Sequence, residues 1–221
     1  MAILFSSKFP FLLKQGVPNL KSLYYIGDTS LLEKRCLTFV GTRDITEYGK
    51  WVIGELLGDF LSKMDIVVVS GLARGVDAYV HDTCLKRGIK TMAIVPGAIS
   101  SAIPKANIKI FERLKKEGLI LAEYPEGTTL RKEMFVLRNR LLAAMSEMTI
   151  VVEAGVKSGS LITANIALDY NRDIYVIPGN INNIVSQGCN TLARQGAGII
   201  TSQGDFKEIL GIENDQVLLK S

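Results

Sequence analysis

The amino-acid sequence predicts an α/β fold in which a doubly wound, mostly parallel sheet forms a single domain. Short apolar runs that end in Gly or Pro recur along the chain without apolar–polar alternation, which is typical of strands buried on both faces. Helix-length segments separate these runs, and the strand–helix order repeats about six times. No linker, internal repeat or low-complexity segment divides the chain, so we expect one domain.

The chain begins with a lead-in, residues 1–36, in which we predict one helix and a small edge strand at "SLYYIGD", residues 22–28. The first residues are apolar but lack the basic leading segment of a signal peptide, so we expect folded chain there. Residues 37–211 form the predicted sheet domain. Residues 212–221 are polar and are expected to form a frayed tail.

Within the sheet domain, seven short apolar runs predict strands, and five longer segments between them predict helices. The strands are "LTFVG" (37–41), "DIVVVSG" (65–71), "KTMAIVPG" (90–97), "LILAEYP" (119–125), "MTIVVEAG" (148–155), "DIYVIPG" (173–179) and "AGIIT" (197–201). The helices are residues 46–63, 75–88, 107–117, 131–146 and 159–171.

The composition argues against several kinds of site. The chain has 221 residues, 48 % of them hydrophobic, and a formal net charge of +4, which alone does not indicate a nucleic-acid binder. Its three cysteines lie far apart and it has one histidine, whereas a structural zinc site needs about four closely grouped ligands. No apolar run approaches the roughly 20 residues of a membrane span. We therefore expect a cytoplasmic protein without a metal or cofactor and without a membrane partner.

Three loops that follow predicted strands share the same chemistry. Each combines small residues that leave backbone N–H groups accessible, a basic side chain, and the start of a helix, and together these favour an anion. None matches a dinucleotide-binding or Walker A motif. The residues are Gly41, Thr42 and Arg43 after the first strand; Ser70, Gly71, Arg74 and Gly75 after the second; and Lys157, Ser158, Gly159 and Ser160 after the fifth.

A basic tripeptide interrupts the apolar helix "FVLRNRLLAAMS", residues 135–146. Lys132, Phe135 and Arg138 are spaced three residues apart, so they share a helical face. Cations and an aromatic ring on one face are what single-stranded nucleic acid requires, because the cations follow the backbone while the ring stacks on a base. The alternatives are that the charges lie on an ordinary solvated face, that Phe135 is a core residue, or that Asn139 and Arg140 brace neighbouring loops.

Candidate catalytic residues are few. The lone His81 lies on a predicted helix without a nucleophile motif, so we interpret it as structural. Glu153, at the end of a strand, is either a catalytic carboxylate or an acceptor for a loop amide or for Arg43. Asp77 is a first-turn acid that complements its helix dipole.

Seven motifs follow one another along the chain: "FVGTRDITEYG", "VVSGLARGVDAYVH", "LAEYPEG", "FVLRNRLLAAMSE", "VVEAGVKSGSLITANIAL", "VIPGN" and "GCNTLARQGA". In this set and order, from about Phe9 to Leu210, the sequence resembles the DNA-processing protein A family, also called Smf. The resemblance implies a Rossmann-like domain that binds single-stranded DNA and loads the RecA recombinase onto it during natural transformation. It also implies a cytoplasmic homodimer that needs no catalytic chemistry.

Carried over by motif, the family's DNA-contacting pocket falls on the three loops above together with Lys132, Phe135, Arg138 and Asn139. The chain departs from the family pattern in three short motifs, at "IPKAN" (residues 103–107), Ala122 and "GCN" (residues 188–190). It has no room for the helical or winged-helix domains that many members add, so we expect partner contacts made by those domains to be missing.

An enzyme is the alternative from another class. Nucleotide phosphoribohydrolases resemble this sequence in their strand-end glycines, but they carry a PGGxGT loop and a paired Arg and Glu that act on a glycosidic bond. The corresponding loop here reads "EAGVKSGS", without the double glycine. We therefore favour the DNA-binding interpretation.

Overall fold

The computed structural model describes residues 1–101 and 103–212, and within them the chain builds one nine-stranded sheet. The strands are β1 (Ala2–Phe5), β2 (Ser22–Gly27), β3 (Arg35–Val40), β4 (Ile66–Ser70), β5 (Lys90–Val95), β6 (Leu119–Ala122), β7 (Met148–Val151), β8 (Asp173–Val176) and β9 (Gly198–Ile199). They are ordered β1-β2-β6-β5-β4-β3-β7-β8-β9. The pairs from β6 across to β9 are parallel, whereas β2 is antiparallel to both β1 and β6.

Helices cover both faces of this sheet, which confirms the doubly wound α/β prediction. They are α1 (Phe11–Gly16), α2 (Glu47–Leu56), α3 (Val76–Lys86), α4 (Ile108–Glu117), α5 (Lys132–Met145), α6 (Gly159–Asp169), α7 (Gln187–Arg194) and α8 (Gln203–Ile209). The helices α1, α5, α6 and α7 contribute to one apolar cluster, and α2, α3 and α8 to a second on the other face. Helix α4 packs beside α3 in a third.

The central strands show why the sequence lacks alternation. In β4, Val67 and Val69 point into one cluster, while Ile66 and Val68 point into the other. Because helices cover both faces, side chains on either side of the strand are removed from water. This stabilises the fold by about 1.5–3 kcal/mol for each fully buried Val or Ile.

No helix among the described residues is long and apolar enough to cross a bilayer.

The sheet has a topological switch point between β3 and β7. From β3 the chain adds β4, β5 and β6 on one side, then crosses back by α5 to place β7 on the other side. Loops that leave β3 and β7 therefore diverge, and a crevice opens at their carboxyl ends.

The structure corrects several element boundaries. The predicted edge strand at residues 22–28 is β2, but β1 pairs outside it, so the lead-in belongs to the sheet. The predicted helix 46–63 ends at Leu56 and resumes as a 3₁₀ turn, Asp59–Lys63, because Gly58 adopts an extended conformation. The predicted strand 197–201 shortens to Gly198–Ile199. Within the expected tail, residues 213–221 lie outside the described residues.

Candidate functional site

A cavity of about 680 Å³ opens at the switch point. Its walls come mainly from three stretches that are far apart in sequence: the loop after β3, the first half of α5, and the loop that leads from β7 into α6. Ala73, Asp77, Ile184 and Val185 also contribute to the lining. The carboxyl ends of parallel strands lie at the same edge of the sheet, so these stretches meet there.

The loop after β3 is anchored by a buried carboxylate. Glu153 is 1 % exposed, and its two oxygens accept hydrogen bonds from the backbone N–H (2.9 Å) and the hydroxyl of Thr46. Thr42 N–H donates to the Glu153 carbonyl at 2.7 Å. Of the alternatives left open for Glu153, the structure therefore shows acceptance from a loop amide, and the bonds come from Thr46 instead of Arg43.

The loop after β4 supports the first loop from below. Gly75 has a φ of +80° and packs against the backbone of Thr42 and Arg43, where a Cβ atom would lie 2.3 Å from the Thr42 carbonyl oxygen. Val76 N–H donates to that same oxygen at 3.0 Å. These contacts fix the position of the loop segment that carries Arg43 in the cavity wall.

Arg138 forms part of the cavity floor and is almost fully buried there. It is 7 % exposed, and its Nη1 donates to the carbonyls of Gly71 (2.8 Å) and Ile94 (2.5 Å), at the carboxyl ends of β4 and β5. Burial lowers the pKa of Arg138, and the nearby Asp77 opposes that shift. Its Nε atom is buried and has no hydrogen-bond partner. Arg138, the first arginine of the basic tripeptide, is therefore an interior group that donates to carbonyls at the ends of two strands.

Asp77 and His81 belong to the same buried layer. Asp77 accepts a hydrogen bond from Ala73 N–H at 3.3 Å, and burial raises the pKa of its carboxyl while Arg138 opposes the shift. His81 is fully buried, with its Nδ1 atom 2.8 Å from Thr91 Oγ1, and burial lowers its pKa to about 3. His81 is neutral at physiological pH, in keeping with a structural histidine.

Phe135 lines the cavity wall and is only partly buried, so it is not a core residue. The Arg43 guanidinium lies over its ring, with Cζ 5.7 Å from the ring centroid. Because Arg43 is exposed, this contact holds its charge at the mouth of the cavity without burying it.

The third wall is the start of α6. Ser158 caps the helix, accepting from Ser160 N–H at 3.4 Å, and the two hydroxyls are 2.7 Å apart. Asn139 Nδ2 donates to the Gly159 carbonyl at 3.3 Å, which ties α5 to α6. Lys157 is exposed beside this helix start, so a cation and a helix N-terminus line the same wall.

The structure divides the residues predicted for this site into two groups. The cavity lining includes Gly41, Thr42, Arg43, Phe135, Arg138, Asn139, Lys157, Ser158, Gly159 and Ser160, but not Ser70, Gly71, Arg74, Gly75 or Lys132. Ser70 is buried and donates to the Phe39 carbonyl, and Lys132 is exposed. Arg74 does not line the cavity but pairs with Asp44, which does. Arg140 pairs with Glu123, as a brace between α5 and the segment after β6.

Part of the cavity rim is apolar, which the sequence did not predict. Val136, Val156, Ile162 and Ile184 all line the cavity, and each is at least 40 % exposed. Nothing in the sequence distinguishes them from ordinary scattered surface residues, because only the fold brings them to one opening. The cavity therefore offers apolar surface together with the cations Arg43 and Lys157.

Within the described residues, no group of three or more His, Cys, Asp or Glu side chains could hold a metal ion.

Comparison with known proteins places this architecture in one family. Residues 1–211 match the family model described as DNA recombination-mediator protein A. The DNA processing protein DprA of Bacillus subtilis is 36 % identical over 212 residues, covering 96 % of this chain and 71 % of that protein. The chain spans about half the length of several other curated relatives.

Two solved structures are similar throughout the fold. DNA processing protein A from Streptococcus pneumoniae superimposes with a TM-score of 0.88 at 32 % identity, covering 96 % of this chain and 75 % of that one. DNA processing protein A from Helicobacter pylori gives a TM-score of 0.85 at 32 % identity, covering 95 % of this chain and 94 % of that one. The latter structure is described as giving insights into that protein's unique single-stranded DNA binding mode.

Proposed function

The chain belongs to the DNA recombination-mediator protein A family, and on that premise we propose that it binds single-stranded DNA in the cavity at the switch point. We further propose that it protects incoming strands and loads the RecA recombinase onto them during natural transformation. The observation that carries the binding proposal is one opening lined by two exposed cations, a partly exposed phenyl ring and an exposed apolar rim.

Each part of that opening suits a different part of a single strand. The cations Arg43 and Lys157, with the N-terminus of α6, suit phosphates, which carry the charge of the strand. The ring of Phe135 and the aliphatic rim suit unpaired bases, whose flat faces stack on any aromatic or apolar surface. A duplex keeps its bases paired and stacked internally, so we expect it to use only the cations.

Arg138 and Asn139 act as positioning residues in this proposal. Arg138 joins α5 to the ends of β4 and β5, and Asn139 joins α5 to the start of α6. The two therefore keep the Phe135 ring at a set distance from the other walls. Ser70, Gly71 and Gly75 contribute by shaping the loop that supports Arg43.

We propose that this function involves no catalytic step. The carboxylates that line or border the cavity are engaged: Asp44 pairs with Arg74, and Asp77 accepts from Ala73 beside Arg138. Both oxygens of Glu153, behind the loop after β3, accept from Thr46. A glycosidic hydrolase would need one of them free to act on substrate. Incubation with a nucleoside monophosphate tests this directly: release of the free base would support the phosphoribohydrolase alternative and contradict our proposal.

We also propose that the protein is a cytoplasmic homodimer. Both edge strands of the sheet offer apolar side chains for self-association, since Ile3 and Phe5 on β1 and Ile199 on β9 are each at least 46 % exposed. Light scattering over a concentration series tests the proposal, and a monomer at every concentration would contradict it.

An electrophoretic shift with single-stranded and double-stranded DNA of equal length tests the binding proposal. We expect a strong preference for the single strand at two salt concentrations, and equal affinity for the duplex would refute it. Recombinase loading is tested separately by following RecA filament assembly on single strands with and without the protein.

A further inference from the structure

An exposed aromatic pair lies on α2, outside the cavity. Trp51 is the only tryptophan of the chain and is 62 % exposed, and Tyr48, one helical turn earlier, is 42 % exposed. Their rings stack with centroids 6.3 Å apart and an interplanar angle of 26°. Large ring faces left in water mark contact surfaces, because their burial would be strongly favourable. We call this pair the aromatic platform.

The platform is held in place before any ligand arrives. The Tyr48 hydroxyl donates to the Pro178 carbonyl at 2.8 Å, which joins α2 to the segment after β8. Two residues earlier, Thr46 caps α2 and is itself bound by Glu153. Because the rings are already ordered, little conformational entropy would be lost when a ligand stacks on them.

Neighbouring residues line the cavity and two further hollows, and the last of these includes the platform. Ile184 and Val185 line the cavity, whereas their chain neighbours Asn183 and Ser186 line a second hollow of about 400 Å³. Tyr48 lines that second hollow and also a third of about 230 Å³, which contains Trp51. A chain-like ligand that leaves the cavity across residues 183–186 would therefore reach the platform next.

The charges around the platform indicate how a ligand would be held. Lys50 pairs with Glu47, and the exposed Glu55 adds a negative charge, so the surface offers no net attraction to phosphate. It offers ring faces, together with the amides of Asn180 and Asn183 in the adjoining hollow. Stacking and hydrogen bonding to bases fit this chemistry, whereas phosphate binding does not.

We propose that the aromatic platform is a second base-stacking site, used by the part of a single strand that extends out of the cavity. This inference rests on the proposed single-strand binding and extends its path along α2. It assigns phosphate contacts to the cavity mouth and only base contacts to Tyr48 and Trp51. A strand too short to leave the cavity does not reach the platform.

Tryptophan fluorescence gives a direct readout, because Trp51 is the only tryptophan. Oligothymidylates of increasing length, from about 4 to about 16 nucleotides, are titrated while binding is followed independently by anisotropy. We expect bound short oligonucleotides to leave the emission unchanged and bound long ones to quench it. Long oligonucleotides that bind without quenching would overturn the inference while leaving the proposed function intact. Failure of every length to bind would overturn both.

Substitution provides the second readout. Trp51→Ala should weaken binding of the long oligonucleotide by about 5- to 150-fold and leave binding of the short one unchanged. Trp51→Phe, which keeps a ring, should restore most of the affinity. The matched control is Phe11→Ala. Phe11 is an aromatic residue that is 74 % exposed, and it lines a different hollow, near the amino ends of β3 and β7 and away from the platform. Unchanged long-strand affinity in Trp51→Ala, or an equal loss in Phe11→Ala, would refute the platform.

Discussion

Substituting Arg43 separates phosphate contact from the other contacts in the cavity. Arg43 is exposed at the cavity mouth, over the Phe135 ring, and its only assigned role in DNA binding is to neutralise a phosphate. Its loop is held by Thr42, Thr46 and Gly75 through backbone and carboxylate contacts that do not involve the guanidinium. Arg43→Ala should therefore leave the fold intact.

The expected effect follows from counterion release. One lost phosphate contact on a single strand changes the slope of log K against log salt by about 0.7. Between about 50 and about 200 mM salt, this makes the loss of affinity about 2.6-fold larger at the lower salt. Anisotropy titrations of wild type and Arg43→Ala at four salt concentrations measure the difference in slope.

Lys63→Ala is the control for this experiment. Lys63 is exposed just before β4, at the edge of the sheet opposite the cavity, so its removal should leave the slope unchanged. An Arg43→Ala variant with wild-type affinity and slope would refute the placement of DNA in this cavity. A weaker affinity with an unchanged slope would mean that Arg43 acts by orienting the Phe135 ring.

Three further predictions follow from the same site. Phe135→Ala should weaken single-strand binding by about 1–3 kcal/mol without changing the salt slope; since the ring is only partly buried, a thermal melt should show less than the roughly 3–5 kcal/mol that a core phenylalanine costs. Arg138→Met should lower the free energy of unfolding in urea by at least about 2 kcal/mol, because the carbonyls of Gly71 and Ile94 lose a buried charged donor; wild-type stability with lost binding would instead show that Arg138 contacts DNA directly. His81 has a pKa of about 3 in the folded state and an ordinary pKa of 6.5 in the unfolded state. Between these two pKa values only the unfolded state takes up a proton, so the free energy of unfolding falls as the pH falls. Between pH 6.5 and pH 5, urea denaturation should show a loss of about 1.6 kcal/mol that is absent in His81→Gln, and an identical pH dependence in both would contradict this reasoning.

The sequence was sufficient to predict the class of fold because burial on both faces leaves a direct trace in it. Strand β4 reads as an uninterrupted apolar run, since its alternate side chains enter two different apolar clusters. It was less informative at the chain's first strand. There only Leu4 of residues 2–5 is buried, so no burial pattern marks the strand, and its pairing with β2 depends on contacts made outside the segment.

Helix α8 shows a signal that the sequence analysis overlooked. Ser202 and Asp205 form a capping box, in which each side chain accepts from the other residue's backbone N–H. This motif is visible in sequence as a Ser followed three residues later by an acid, so the helix start was predictable.

The sequence by itself determined that strand-end loops carrying Arg43 and Lys157 would meet, because parallel strands bring their carboxyl ends to one edge of the sheet. Only the tertiary structure decided which charges near that edge remain available to a ligand. Helical spacing placed Lys132, Phe135 and Arg138 on one face, but spacing does not reveal what that face meets. In the fold, Lys132 lies outside the cavity, Phe135 forms its wall, and Arg138 turns inward. The ends of β4 and β5 present carbonyl oxygens that water does not reach, and the buried guanidinium is the donor that satisfies them.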